Sequence, residues 1–415
     1  MKYNCTRFCL AALLSIICGA STFAQDASRQ VLVLDATGKA TEGKLDSWEK
    51  GKLALKTKSD RWDTTNVVQI RWPGQPVNAT ESDPALLLAN GDLLVAAPLK
   101  FDERTLTARW TRFSGWPEAG IPLEVVRTVL VQPAESIVQK EQWLDQLIGA
   151  TDKTDTAWLR NGDSLTGQFV TLGTRGGEQA PGGEATLNIK IAKSERSLPL
   201  SSLRAFSFNP ELVVMPKRQG EWALLQFVDG SRLHARDLRL TLRDTLAMKT
   251  AFQAELDVPL AALSSVQFLG GNVVYLSDMK PQADRSQPYL SLNWPWRADR
   301  NVRGGPLRIR NQSFAKGLGV HSHSELVYAL DGKFRKFQAT VGVDDDAEGK
   351  GSVIFRVVVD GRPAWSSPVL TGRAEPLTIE PIDISRAKSL TLIVEFATMG
   401  DILDHADWGD ARLVR

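Results

Sequence analysis

Cysteine is nearly absent from this chain: the three it has, Cys5, Cys9 and Cys18, all lie near the N-terminus. They fall in a segment that reads as an export signal. Lys2 and Arg7 precede an apolar run from Phe8 to Cys18, and Thr22 and Ala24 are the small residues a signal peptidase needs. The pattern predicts cleavage near Ala24 and a secreted or periplasmic product. Cleavage would leave no thiol, which excludes disulfides, thiolate metal sites and a cysteine nucleophile together.

Long hydrophobic runs are also missing. The run in the signal is about half of the roughly 20 residues that span a bilayer, and nothing later approaches it, so no membrane span is expected. Net charge is small. The formal value is +2, and losing Lys2 and Arg7 takes it to 0, which removes the electrostatic case for nucleic acid or an anionic membrane as partner.

What is present is repetition. "LLLANGDLLVAAPL", "TAWLRNGDSLTGQFV" and "ALLQFVDGSRLHARDL" each hold an apolar strand, an Asn-Gly or Asp-Gly turn and a second strand. Glycine takes the positive φ that a primed hairpin turn demands. "IPLEVVRTVLV", "LPLSSLRAFSF" and "VPLAALSSVQF" follow in turn, with Pro122, Pro199 and Pro259 at equivalent places. The stretch from "VLVLDATGKATEGKL" to "VVQIRW" fits the same scheme with degraded turns. Four related β-units are therefore expected, two over 30–133 and two over 156–270, as tandem small barrels of the SH3 or Sm type.

Between the pairs, over 134–150, "AESIVQKEQWLDQLIGATDK" spaces Ile137, Leu144 and Ile148 at helical intervals and meets a stop at Gly149. It predicts one amphipathic helix whose stripe, with Trp143 and Leu147, packs on the units. The Gly-rich "GTRGGEQAPGGEAT" lacks the lysine and following helix of a phosphate cradle, and reads as a hairpin tip.

The character of the chain changes past residue 275. Three of its four histidines, His321, His323 and His405, lie here with Trp294, Trp296, Trp365 and Trp408. Short alternating strands around two more Asp-Gly turns predict an antiparallel β-sandwich. "YLSDMKP", "DRNVRGGPLRIRNQSFAKGLGVHSHSELVYALDG", "FQATVGVDDDAEGKGSVIFRVVVDG" and "DHADWGDARL" resemble the NPCBM family, carbohydrate-binding modules first associated with glycoside hydrolase family 98. The resemblance covers about 275–415. It implies a galactose-binding-like jelly roll, non-catalytic, with a galactose-type glycan as partner and no required cofactor. Where family members accompany a hydrolase, this chain carries β-units, which could meet envelope or extracellular proteins.

Sugar recognition asks for an aromatic face and a few convergent polar groups. Two stretches supply them: "DHADWGD", with Asp404, His405 and Trp408, and "NWPWRADRN", with Trp296 and Arg300 beside Trp294. His321 completes either. The expected carbohydrate site is therefore Trp296, Arg300, His321, Asp404, His405 and Trp408. Asp344, Asp345 and Asp346 in "GVDDDAEGKGS" offer hard oxygens for a structural calcium. Competing readings are a cell-envelope interaction scaffold that binds no sugar, a zinc enzyme using His321, His323 and His405, and a glycoside hydrolase drawing on Asp401, Asp404, Asp407 and Asp410.

Overall fold

The structure, a computed structural model, describes residues 29–415 apart from 57–59, 81–82, 113–117, 133–135, 150–152, 175–184, 217–219, 288–293 and 399. The segment expected to be an export signal and most of the Gly-rich stretch lie outside the described residues.

The chain is all-β apart from one helix and six one-turn 3-10 segments among the described residues. The equivalence of the prolines is structural. Pro122, Pro199 and Pro259 each precede a 3-10 turn, Leu123–Val125, Leu200–Ser202 and Leu260–Ala262, and Asp63 does the same for Thr64–Asn66. A fixed φ near −60° sets the chain up for such a turn, and Asp63 replaces it with a carboxylate that accepts from Thr65 N. The Gly91, Gly162 and Gly230 turns all have positive φ, as the hairpin chemistry requires.

Each turn leads into the last strand of its unit, and these last strands decide the assembly. Val67–Arg71 pairs antiparallel with Leu263–Leu269, Ile70 facing Val266. Val126–Leu130 pairs in the same way with Leu203–Ser207, Val129 facing Phe206. All four residues occupy one repeat position, so the first unit meets the fourth, and the second meets the third, about equivalent pseudo-twofold axes. This differs from the expected tandem barrels: among the described residues no barrel closes, because the edges are satisfied by neighbouring units. One apolar core runs through all four, from Val33 and Trp48 through Leu106 and Phe206 to Val266.

The second and fourth units are also pinned by polar groups. Buried Asp92 accepts from His234 N at 3.0 Å and holds His234 Nδ1 at 2.5 Å, and Ser231 Oγ accepts from Val95 N. The helix Ile137–Gly149 lays Leu144 and Leu147 on Leu87, Leu93 and Leu130, with Trp143 beneath the Arg204 guanidinium. Among the described residues no helix is long and apolar enough to cross a membrane.

The C-terminal part is a two-sheet antiparallel sandwich. One sheet runs Arg297–Ala298, Gly317–His321, His405–Val414, Lys336–Val343 and Leu377–Thr378; the other runs Ala283–Ser286, Ser324–Ala329, Ser389–Phe396, Ser352–Val359 and Arg362–Ser366. Between them pack Tyr328, Phe337, Phe355, Leu392 and Trp408. The central strand His405–Val414 is buried along its whole length. Val273–Tyr275 pairs with its C-terminal half, and Ala36, Val68, Val273, Tyr275 and Val414 form an apolar seam with the first unit.

Candidate functional site

The site grows out of how that central strand divides its side chains. Alternation sends Ala406 and Trp408 into the core and leaves His405 and Asp407 on the outer face. A bulge at Asp410, which has φ 51°, restores the inward set at Ala411 and Leu413. Gly317–His321 pairs alongside, with His321 directly opposite His405. Over this face runs the loop after Trp294. It lies so close that a side chain at Gly319 would strike the backbone of Arg300 and Asn301. Asn301 ties the loop down: its Oδ1 accepts from Arg303 N and Gly305 N, and its Nδ2 donates to Asp344 and Asp346.

Three rings meet at the N-terminal end of this face, the two histidines buried at 5% and 2% exposure. The indole of half-buried Trp294 stacks on His321 with centroids 5.4 Å apart and planes 12° from parallel, and His405 tilts against both at 5.8 and 5.7 Å. His321 Nδ1 lies 2.9 Å from the Ser322 carbonyl, which makes it the donor. Burial pushes the His321 pKa down, so the ring is neutral near pH 7 and its Nε2 is an acceptor. His405 Nδ1 is held by Asp346 Oδ1 at 2.6 Å, which leaves its Nε2 outside that pair.

Behind the rings lies an acidic group. Asp407 is fully buried beside Asp344 and Asp346. With both carboxylates ionised neither Asp407 oxygen has a donor within hydrogen-bond distance among the described residues; a proton turns the Asp344–Asp407 contact into a hydrogen bond. Burial, then the neighbouring charge, holds Asp407 well above the usual carboxylate range, and burial also raises Asp344.

Several expected site residues are elsewhere. Trp408, at 1% exposure, meets Phe355 edge-on at 5.0 Å in the core, so it has no face for a sugar. Asp404 is buried, and its oxygens accept from Ser322 Oγ at 2.6 Å and Ser352 N at 2.7 Å; it fastens the strand ends rather than lining a rim. Burial lifts its pKa to about 6. Trp296 packs on the core's edge and donates from Nε1 to Asp284. Arg300 is half-buried, with Nη1 3.5 Å from the Asp299 carbonyl. Of the expected set the structure brings together His321 and His405. The partners missing from that set are Trp294, in a segment without periodicity, and Asp346.

Calcium at Asp344, Asp345 and Asp346 does not fit. Asp345 turns away to accept from Arg310 N and Asn311 N, Asp346 serves His405, and Asp344 accepts from Arg308 N and Asp346 N. Among the described residues no three histidine, cysteine or acidic side chains gather as metal ligands, which also removes the zinc set, since the strand carrying His321 ends before His323. Of the acids considered for glycoside hydrolysis, Asp404 serves Ser322 and Ser352, Asp407 faces Asp344, and Asp410 faces Arg71 and Gln267.

Comparison with known proteins concerns the C-terminal part of the chain. Residues 272–414 match the model of the NPCBM/NEW2 domain family, so the resemblance holds over that stretch and supports a carbohydrate-binding module there. Two curated proteins are 32% identical to it. One is "Putative endo-alpha-N-acetylgalactosaminidase" of Renibacterium salmoninarum, over 27% of this chain and 7% of its own length. The other is "Alpha-1,3-galactosidase B" of Akkermansia muciniphila, over 28% of this chain and 15% of its own. The chain thus spans a small part of either. Among solved structures, a CBM51 module from Clostridium perfringens GH95 in complex with methyl-galactose is 28% identical, covering 34% of this chain and 99% of that one, with a TM-score of 0.32. A CBM51 module with GlcNAc, from Clostridium perfringens ZmpB, is 25% identical over 44% of this chain and 37% of that one, again with a TM-score of 0.32.

Proposed function

We propose that this is a secreted, non-catalytic carbohydrate-binding protein whose C-terminal sandwich takes a galactose-type sugar at Trp294, His321 and His405. The observation that carries the reading is the ring cluster: a half-buried indole stacked on a neutral histidine, with a second imidazole held by Asp346. Galactose carries its axial hydroxyl on one face and leaves the other apolar. That apolar face suits an indole, while the Nε2 atoms of His321 and His405 suit the ring hydroxyls. Support also comes from the family of residues 272–414 and from two relatives named for enzymes of galactose-type linkages. Export rests on the N-terminal charge and apolar pattern.

Isothermal titration of the full chain with methyl galactoside tests this. Wild type should bind saturably. Trp294→Ala should lose at least tenfold in affinity, while the melt shifts by about the 0.5–1.5 kcal/mol that an aromatic pair contributes. A wild type without saturable heat, or a Trp294→Ala protein that binds as wild type does, would overturn the reading.

A further inference from the structure

The central strand has a second polar end that the ring cluster does not use. Asp410 and Arg412 face the first β-unit across the seam, where a cavity of about 300 Å³ opens between Leu32, Leu34 and Arg71 on one side and Gln338, Thr340 and Thr378 on the other. That volume is at the lower end of the roughly 300–1,000 Å³ of small-ligand sites, and junctions between domains are where such sites concentrate.

Its polar groups are mostly donors. Arg412 spends Nε on Gln338 Oε1 at 3.0 Å and Nη1 on the Asp410 carbonyl at 3.1 Å, which leaves Nη2 outside these bonds. Arg71 spends Nε on Gln69 Oε1 and Nη2 on Asp410 Oδ2 at 3.2 Å, which leaves Nη1. Gln338 is 2% exposed. Its orientation is set by accepting from Arg412, so its amide nitrogen is the free end, and that nitrogen has no acceptor. Asp410 is already shared with Gln267 at 2.8 Å.

Charge points the same way. Two guanidinium groups meet one buried carboxylate, and the other acid of the cavity, Glu380, is exposed at its mouth. Leaving the buried Gln338 amide nitrogen under-used costs free energy that an oxyanion would recover, and the two guanidiniums favour a negative charge beside it. Guanidinium forks match carboxylate geometry in particular. Around them, Gln312, Thr340 and Thr378 can bond hydroxyls, and Leu34, Ile379 and Pro381 supply apolar wall. We propose that the seam is a second ligand site, for a carboxylate-bearing sugar of the uronic acid class. The Arg71–Arg412 pair takes the carboxylate, and the amide and hydroxyl groups take the ring. This site is separate from the ring cluster and does not depend on it.

Titration of the full chain with glucuronic acid at pH 7, beside neutral methyl glucoside and acetate, tests the proposal. Saturable glucuronate binding is expected, with at least tenfold weaker binding of the neutral sugar and of acetate. Arg71→Gln, at a half-buried position, should cut glucuronate affinity at least tenfold. Thr378→Trp, which fills the exposed mouth without touching the core, should do the same and covers the case of an Arg71 variant that does not fold. Trp294→Ala should leave glucuronate binding unchanged, which separates failure here from failure of the galactose site. No saturable glucuronate binding in folded wild type overturns the proposal. So does acetate or neutral sugar binding equal to glucuronate, or glucuronate binding that survives Thr378→Trp.

Discussion

The two ends of the strand His405–Val414 bury opposite charge. At the N-terminal end His405 and Asp407 face Asp344 and Asp346, and carboxylates are in excess. At the C-terminal end Arg412 and Asp410 face Arg71, and guanidiniums are in excess. The strand is buried along its whole length, so most of that charge is offset by neighbouring groups rather than by bulk water. The N-terminal end settles it inside the sandwich, with a shared proton and an imidazole. The C-terminal end uses Arg71 and Gln267 from the β-units. One strand thus shows how a sandwich complete at one end depends on a neighbouring domain at the other.

The largest effect should come from between the two ends. Trp408→Ala removes the side chain that packs on Phe337 and Phe355 beneath both sites, and truncation of a buried aromatic costs about 3–5 kcal/mol. A denaturant melt should show that loss, with both ends disrupted together. A variant that melts like wild type would mean Trp408 is not core, and would restore it to the rim.

A cut at the seam should come next. Val273–Tyr275 belongs to the sandwich sheet through its pairing with Val414, Leu413 and Arg412. A fragment 272–415 should melt cooperatively with all-β circular dichroism. A fragment from 277 lacks that strand and buried Tyr275 and should be less stable by about 2–5 kcal/mol. Equal stability of the two would show that the C-terminal end is self-sufficient after all.

Much of this was legible in the chain, and the failures have physical causes. Asn-Gly and Asp-Gly pairs located the hairpins because glycine's φ freedom is a local property. The equivalent prolines marked the repeat, but the 3-10 turn that follows each of them was not read from the sequence. Apolar spacing placed the helix. Closure of the units was not readable, because a last strand alternates identically whether it pairs within its own unit or with the next. Trp408 was a failure of another kind. His405, Asp407 and Trp408 sit in one short motif, but parity puts the tryptophan opposite the other two, and grouping by motif instead of by strand face put it on the rim. Trp294 and Trp296 lie where no period applies, so nothing in the sequence ranks them.

The carboxylate end can be tested through pH. Folding raises Asp344 and Asp404 from 3.8 to about 6, and holds Asp407 well above the usual carboxylate range, mainly by burial. The folded state therefore binds more protons than the unfolded one above about pH 4. Their contribution is complete below the unfolded value and is lost as pH rises through about 6. Asp407→Asn supplies a permanent donor to Asp344, so its stability relative to wild type should rise between pH 4 and pH 7, by on the order of 1–3 kcal/mol. Thermal melts across that range check it, with calcium added as a second arm. Calcium should leave the wild-type melt unchanged; a rise that Asp407→Asn abolishes would mean that a cation, not a proton, balances this end.

The smallest effect should come from Asp346→Asn. The amide oxygen can still accept from His405 Nδ1, so the ring keeps its orientation, while charge and the weaker bond from Asn301 Nδ2 at 3.2 Å are lost. The net worth of one such hydrogen bond is about 0.5–1.5 kcal/mol, and charge strengthens it. Affinity for a galactoside should therefore fall by less than about tenfold, whereas Asp346→Ala, which frees the imidazole, should cost more. Stability at pH 7 should change little, because relief of the crowd around Asp407 offsets the lost bond from Asn301. Glucuronate binding at the seam should not respond, since the two ends bury their charges separately. A glucuronate affinity that followed Asp346→Asn would join the ends electrically and end the comparison.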